Sequence, residues 1–235
     1  MEEKRNFDLL TLGQVLLRLS PPNNDRLVRG DTFVKQVGGA ELNVAVGVAL
    51  LGLRTGVISK LPSHDMGSFM KGKIRSYGVS DDFFMYDDSP SARVGIYYYE
   101  NGAYPRKPKV IYDRANSSFY SLKIDEIPEK AYTASRCFHT SGITLALSPK
   151  VRETAIEMIK RFKAAGTLVS FDVNFRGNLW TGEEAKECIE QILPYVDIFF
   201  CSEDTARLTF KKTGTAREMM KSFTEEYPIS IVAST

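Results

Sequence analysis

Short runs of β-branched and aromatic residues alternate along the chain with longer segments in which apolar residues recur every three or four positions. The short runs predict strands and the longer segments predict amphipathic helices. Strands are predicted at 7–13, 55–60, 136–141, 167–172, 196–202 and 229–233. Helices are predicted at 41–51, 67–77, 149–165, 182–193 and 215–226. Such alternation is typical of βαβ units around a parallel sheet, so the pattern predicts an α/β fold.

Two stretches interrupt this alternation. One covers about 15–38, and the other covers about 92–116 with β-rich runs at 93–100 and 109–114. Both are predicted to be extended antiparallel structure, and together they are called the lid. Segments outside the carboxyl ends of a parallel sheet commonly bind or cover ligands. No repeat or linker divides the sequence, so residues 1–235 are predicted to form a single domain that carries the lid.

The composition narrows the classes of function. With 43% hydrophobic and 26% charged residues, and no apolar run close to the ~20 residues of a membrane span, the chain is expected to be soluble with no membrane partner. Its 31 basic residues are interspersed with 29 acidic ones, which argues against nucleic acid as a partner. Three cysteines without a CxxC pair predict neither disulfides nor a zinc site, and fit a cytoplasmic protein.

A paired-glycine turn, Gly38-Gly39, leads through Ala-Glu-Leu to Asn43 at the start of a helix of small residues. Glycines allow a ligand to approach the backbone, and an asparagine in the first turn offers a donor and an acceptor to a hydroxyl group. The same turn is also common as a purely structural feature. It is not a GxGxxG fingerprint and it follows the lid rather than a first core strand, which disfavours a nicotinamide-dependent dehydrogenase.

A second polar cluster, Asp-Val-Asn-Phe-Arg at 172–176, follows a predicted buried strand. The carboxyl ends of strands in a parallel sheet face the ligand crevice. A structural network of capping hydrogen bonds would explain this cluster equally well.

Four blocks of sequence together resemble a known family. Gly-Gly-Ala-Glu-Leu-Asn-Val-Ala at 38–45 closely resembles the first signature of PfkB, or ribokinase-type, carbohydrate kinases. The blocks at 12–22, 141–148 and 171–180 are similar to the 2-keto-3-deoxygluconate kinase branch, in the same order. The resemblance implies a ribokinase-like, mostly parallel sheet flanked by helices with a small β-strand lid. It also implies phosphorylation of a small sugar by ATP with Mg²⁺ in the cytoplasm.

The resemblance also assigns residues to the nucleotide. Family residues that match Asn174 and Arg176 lie by the nucleotide phosphates and the transferring group. Arg176 is therefore expected to counter the charge that develops during phosphoryl transfer. Asn174, Arg176 and Ser202 are the expected ATP contacts.

The substrate class follows from charge and the resemblance. Kinases of neutral sugars in this superfamily usually place an Asp on the first strand, whereas the matching residue is Arg18. A sugar acid is favoured instead, because the planar guanidinium of Arg114 on the lid can bind its carboxylate. Packing within the lid, or a clasp between two copies, would account for the lid tyrosines equally well. The expected substrate contacts are Gly38, Gly39, Asn43, Tyr97, Tyr112, Arg114 and Arg176.

Two features depart from the family pattern. The Asn-x-x-Glu element that organises magnesium and phosphate is replaced by Ser202 and Thr205, with Glu203 and Asp204 between them. The second signature, Asp-Thr-x-Gly-Ala-Gly-Asp, does not occur in the printed sequence. It supplies the anion-hole amides and the catalytic base, so no base and no metal ligand are assigned. The sequence thus predicts a form that lacks the C-terminal catalytic segment.

Three hypotheses remain at this level. The first is a 2-keto-3-deoxygluconate kinase, of which this chain is an incomplete form. The second is a kinase for another sugar such as fructose, and the third is a catalytically inactive, truncated fragment that still binds a ligand. Unpaired lid strands invite pairing, so a homodimer through the lid is expected.

Overall fold

The structure is a computed structural model and describes residues 5–234. Its strands are β1 (Phe7–Leu12), β2 (Leu16–Ser20), β3 (Val34–Gly38), β4 (Thr55–Pro62), β5 (Val79–Ser80), β6 (Phe84–Asp87), β7 (Gly95–Glu100), β8 (Lys109–Asp113), β9 (Ser135–Ser141), β10 (Leu168–Asp172), β11 (Ile198–Phe200) and β12 (Ile231–Ala233). Its helices are α1 (Ala40–Leu50), α2 (Asp65–Ser76), α3 (Lys130–Thr133), α4 (Gly142–Ala146), α5 (Pro149–Ala164), α6 (Gly182–Glu190), α7 (Glu203–Phe210) and α8 (Ala216–Glu226).

The larger sheet has the strand order β12-β11-β10-β9-β1-β4-β5, and β6 also pairs with β4. Every strand pair in it is parallel. All eight residues of β4 are buried, as expected for a strand of a parallel sheet that is covered on both faces. The predicted α/β fold with a mostly parallel sheet flanked by helices is confirmed.

Several short elements differ from what the sequence pattern predicts. Strands β5 and β6 contain two and four residues, too few to show a period-two pattern. The pattern predicts no helix at α7, although Ser202 caps it by accepting a hydrogen bond from the Thr205 N–H. Strands as short as β5 and β6 depend on the sheet around them more than on their own sequence.

The four strands of the second sheet lie within the predicted lid ranges and have the order β3-β2-β7-β8. Pairs β2–β3 and β7–β8 are antiparallel, as predicted for each of the two stretches. The two stretches are joined by the β2–β7 pair, which is parallel and was not predicted. The reason is topological. Strands β2 and β7 follow β1 and β6, which are parallel members of the larger sheet, so both leave its carboxyl edge in the same direction.

Two hydrophobic clusters hold the helices against the larger sheet and the lid against α1 and α2. The larger one lies beneath the helices after β9, where the rings of Phe138 and Phe162 stack with centroids 4.0 Å apart. The smaller one joins the base of the lid to α1 and α2 through residues such as Leu17, Leu42 and Met70. The lid is therefore anchored on one face and open on the other. Among the helices of residues 5–234, none is long and apolar enough to cross a membrane.

Candidate functional site

A cavity of about 280 Å³ lies between the open face of the lid and the N-terminus of α1. Its lid wall is formed by Leu16, Arg18, Tyr97, Tyr99, Val110, Tyr112 and Arg114. Its floor is formed by Gln14, Gly39, Ala40, Glu41, Asn43, Ile143 and Arg176. The cavity thus brings together six residues that the sequence assigned to substrate: Gly39, Asn43, Tyr97, Tyr112, Arg114 and Arg176.

The lid wall is an aromatic and cationic row set by strand register. Arg18 pairs with Tyr97 across β2–β7, and Tyr97 pairs with Tyr112 across β7–β8, so all three share one face of the sheet. The rings of Tyr97 and Tyr112 have centroids 6.0 Å apart, and the Arg18 guanidinium lies 4.3 Å from the centroid of Tyr99. Burial raises the pKa of Tyr97 and nearby Arg18 opposes the rise, so Tyr97 is a hydrogen-bonding phenol at neutral pH.

The two glycines have different surroundings. A Cβ on Gly39 would lie 2.6 Å from the Gln14 carbonyl oxygen, so only glycine allows the chain to turn into α1 at this point. A Cβ on Gly38 would lie 2.5 Å from the Tyr97 hydroxyl oxygen. Gly38, a predicted substrate contact, does not line the cavity, and the absence of a side chain there makes room for Tyr97. Asn43 is exposed in the first turn of α1, and its backbone N–H donates to the Gly39 carbonyl at 2.9 Å.

Arg114 is held at the edge of the lid. Its Nε–H donates to Gln14 Oε1 at 2.8 Å, and its guanidinium lies 5.5 Å from the centroid of the Tyr112 ring. Burial lowers the pKa of Arg114, while Tyr120 and Glu41 raise it. A guanidinium stays protonated at neutral pH despite such a shift, so Arg114 presents a fixed positive charge to the cavity.

The polar cluster after β10, at residues 172–176, lies beside the cavity and contributes Arg176 to its floor. Arg176 is exposed, lines the cavity and donates through Nη1 to the Phe175 carbonyl at 3.0 Å. Asn174 has φ +37°, in the left-handed region, and its backbone N–H donates to Asp172 Oδ1 at 3.0 Å. Burial raises the pKa of Asp172, whereas the hydrogen bond from Asn174 and the charge of Arg176 lower it.

Ser202 lies at the end of the neighbouring strand, β11. Its Oγ accepts from the Thr205 N–H at 3.2 Å and donates to Thr205 Oγ1 at 2.8 Å, so it caps α7. Glu203 accepts from Arg207 at 2.7 Å. Neither Asn174 nor Ser202 lines the cavity described above. Their contact with a nucleotide stays a prediction.

Sequence reasoning missed two polar residues of the floor. Glu41 is buried and accepts hydrogen bonds from Ser141 Oγ at 2.6 Å and Thr144 Oγ1 at 2.8 Å, and burial raises its pKa. Gln14 is also buried and binds Arg114. The paired-glycine block, which contains Glu41, was a local signal for that residue. No local pattern links Gln14 to Arg114, which lies 100 positions away.

The charges of the cavity favour an anion. Arg18, Arg114 and Arg176 contribute three guanidinium groups against the single carboxyl group of Glu41. Within residues 5–234, no group of three or more His, Cys, Asp or Glu side chains could hold a metal ion. An anionic ligand small enough for the cavity is therefore the expected occupant.

Comparison with known proteins agrees with this geometry. Residues 6–232 match the family described as pfkB family carbohydrate kinase. A 2-dehydro-3-deoxygalactonokinase from Haloferax volcanii is 34% identical over 228 residues, which are 97% of this chain and 71% of that protein.

Two solved structures share the fold. The crystal structure of a 2-dehydro-3-deoxygluconokinase from Thermotoga maritima matches with a TM-score of 0.90 at 32% identity, covering 96% of this chain and 72% of that one. A sugar kinase from Pyrococcus horikoshii, crystallised with ATP, matches with a TM-score of 0.75 at 25% identity, covering 86% and 66%. The resemblance inferred from four sequence blocks is thereby confirmed. The chain belongs to the pfkB family of carbohydrate kinases, which are phosphotransferases.

Proposed function

We propose that this protein is an ATP-dependent kinase of a 2-keto-3-deoxy sugar acid, with 2-keto-3-deoxygluconate as the preferred substrate. The observation that carries the proposal is the Arg114 guanidinium, held by Gln14 at the mouth of a cavity with a net positive charge. A neutral sugar has no group that would use this charge. Two of the relatives are named for 2-dehydro-3-deoxy sugar acids, which is the same class of compound.

The cavity offers partners for each part of such a substrate. The carboxylate would pair with Arg114, whose planar guanidinium suits two parallel hydrogen bonds. Hydroxyl groups would bind the phenols of Tyr97 and Tyr112 and the amide of Asn43, which donate and accept. At about 280 Å³ the cavity is small, and it suits one six-carbon acid better than a nucleotide.

The nucleotide would lie at the ends of β10 and β11, beside the sugar cavity. Asn174 and Ser202 follow these two paired strands, and Arg176 lies between them and the cavity. From there the guanidinium can reach both ligands, as a group that stabilises the transferring phosphoryl requires. Binding of ATP, together with the free thiols of the described cysteines, supports a cytoplasmic location.

Mg²⁺ would neutralise charge on the phosphates when bound, and it usually needs only one or two protein carboxylates. Of the carboxylates near the end of β11, Glu203 is already bound to Arg207. Asp204 is exposed in the first turn of α7. Asp204 is therefore the residue we propose in place of the family's Asn-x-x-Glu carboxylate.

Titration calorimetry tests the substrate class. The ligands are 2-keto-3-deoxygluconate, its 2-keto-3-deoxygalactonate epimer and fructose, with wild type, Arg114→Ala and Arg29→Ala. Arg29 is an exposed lid arginine outside the cavity and serves as the matched control. Arg114→Ala should weaken sugar-acid binding by at least ~1.5 kcal/mol, about tenfold, and leave fructose unchanged. An equal loss on fructose would contradict the carboxylate role.

A second candidate is a ligand-binding form without turnover. The observation in its favour is the absence of the second family signature from the printed sequence. A coupled assay of ADP release with 2-keto-3-deoxygluconate separates the two. Binding without ADP release would support the inactive form, and turnover by this chain would exclude it.

We also propose a homodimer through the lid. Strands β3 and β8 are its two edges, where Val34 and Ile111 are 47% and 45% exposed. Such edges pair readily with a second copy. Ile111→Glu should give a monomer by analytical ultracentrifugation, whereas Leu208→Glu, at an exposed apolar position on α7, should not. A monomeric wild type would contradict the dimer.

A further inference from the structure

One buried side chain lies where the lid joins the core. The chain crosses between them four times, at β1–β2, β3–α1, β6–β7 and after β8. Gln14, 3% exposed, belongs to the first crossing. It lies against each of the other three.

The contacts with the crossing after β8 are hydrogen bonds. Gln14 Oε1 accepts from Arg114 Nε at 2.8 Å. Gln14 Nε2 donates to Ser117 Oγ at 2.6 Å and to the Arg114 carbonyl at 3.3 Å. Both ends of the amide are therefore used, one on the Arg114 side chain and the other on the backbone that carries it.

The contacts with the other two crossings are steric. A Cβ on Gly39 would lie 2.6 Å from the Gln14 carbonyl oxygen, and a Cβ on Gly95 would lie 2.9 Å from Gln14 Nε2. Glycine at both positions lets these crossings close around Gln14. Its side chain thus has little freedom to move.

We infer that Gln14 is a positioning residue for sugar-acid specificity: it orients the Arg114 guanidinium toward the cavity and ties the lid to the core at that point. The inference rests on the proposed binding of a sugar acid. An arginine side chain loses much rotamer entropy when it binds a ligand. Fixing Arg114 in advance by its Nε leaves both terminal nitrogens free for the carboxylate and lowers that cost.

Three variants separate positioning from simple packing. Gln14→Met keeps the length of the side chain but removes all three hydrogen bonds. Gln14→Glu keeps an acceptor for Arg114 and a partner for the Ser117 hydroxyl. Gln191→Met, at the exposed C-cap position that follows α6, is the matched control.

The expected result is a change of selectivity. Gln14→Met should weaken 2-keto-3-deoxygluconate binding about tenfold and leave fructose binding unchanged. Gln14→Glu should restore most of the sugar-acid affinity. Combined with Arg114→Ala, Gln14→Met should cause no further loss, because the two residues act as one unit. Additive losses, or an equal loss for fructose, would overturn the inference.

A ligand-free measurement keeps this test independent of the proposed function. In ¹H–¹⁵N spectra, the Arg114 Nε–H signal, assigned by its loss in Arg114→Ala, should be protected from solvent exchange in the wild type and in Gln14→Glu. It should lose protection in Gln14→Met. Unchanged protection would overturn the inference, whereas failure of the wild type to bind any sugar acid would overturn the proposed function alone.

Discussion

His139 Nδ1 lies 2.9 Å from Ser170 Oγ, and the two residues are direct partners across the β9–β10 pair. The histidine is buried, and burial lowers its pKa from 6.5 to about 4. His139 is therefore neutral in the folded protein at pH 5, where it would be protonated in the unfolded chain.

This difference predicts a loss of stability in acid. Between pH 6.5 and about 4 the folded state binds fewer protons than the unfolded state. The contribution of His139 to the free energy of unfolding is therefore fully present above pH 6.5 and is lost as the pH falls toward 4. The loss amounts to roughly 3 kcal/mol at most. Urea unfolding at several pH values should show a shallower acid slope for His139→Asn than for wild type. Identical slopes would contradict the prediction.

Glu41 should act in the opposite direction. Burial raises its pKa above 4.5, so the folded state binds more protons, and stability present below pH 4.5 is lost as the pH rises through the folded pKa. Glu41→Gln keeps an acceptor for Ser141 and Thr144 but does not titrate. In the same urea series, the variant should lack this decline above pH 4.5. If the stability of Glu41→Gln falls with rising pH as much as that of the wild type, Glu41 is not the source of the decline.

The turn into α1 predicts a contrast between two glycines. Gly39→Ala places a Cβ against the Gln14 carbonyl, and it should lower the free energy of unfolding by about 1–3 kcal/mol and weaken sugar binding. Gly47 lies exposed in α1, and a Cβ there would have no neighbour within 4 Å, so Gly47→Ala should stabilise the protein by about 0.5–1 kcal/mol. Thermal unfolding measures both, and a neutral Gly39→Ala would refute the steric argument.

Asn174 allows backbone and ligand roles to be separated. Its φ of +37° suits asparagine and glycine better than alanine. Asn174→Ala should therefore cost roughly 1–2 kcal/mol of stability, and Asn174→Gly much less. If the side chain contacts ATP, both variants should bind the nucleotide more weakly in calorimetry. Wild-type affinity in Asn174→Gly would assign the residue to the turn alone.

The long parallel strands were predictable because they are buried on both faces. Each is therefore a continuous apolar run that can be identified from its own sequence, without knowledge of the strands it pairs with. The cavity was partly predictable because two of its parts, the paired glycines and the polar residues after strand ends, can also be identified from local sequence. Gln14 was not, because its role depends on contact with Arg114, 100 positions away. Nor was the parallel β2–β7 junction, which follows from the order of strands in another sheet.

Ser202 carries a local signal as well as the one from family resemblance. The resemblance assigns it to the nucleotide, whereas its own neighbourhood, with acidic residues at 203 and 204, is a helix start. Local capping rules alone would have found α7.

The parallel β2–β7 pair has a consequence for folding of the chain during translation. Its paired residues, such as Leu16 and Gly95, are about 80 positions apart, so the first lid hairpin leaves the ribosome long before its neighbour exists. Until then its inner edge is unpaired and open to wrong partners. We expect nascent chains from which residue 95 has not yet emerged to be the aggregation-prone species, and those from which residue 113 has emerged to be protected.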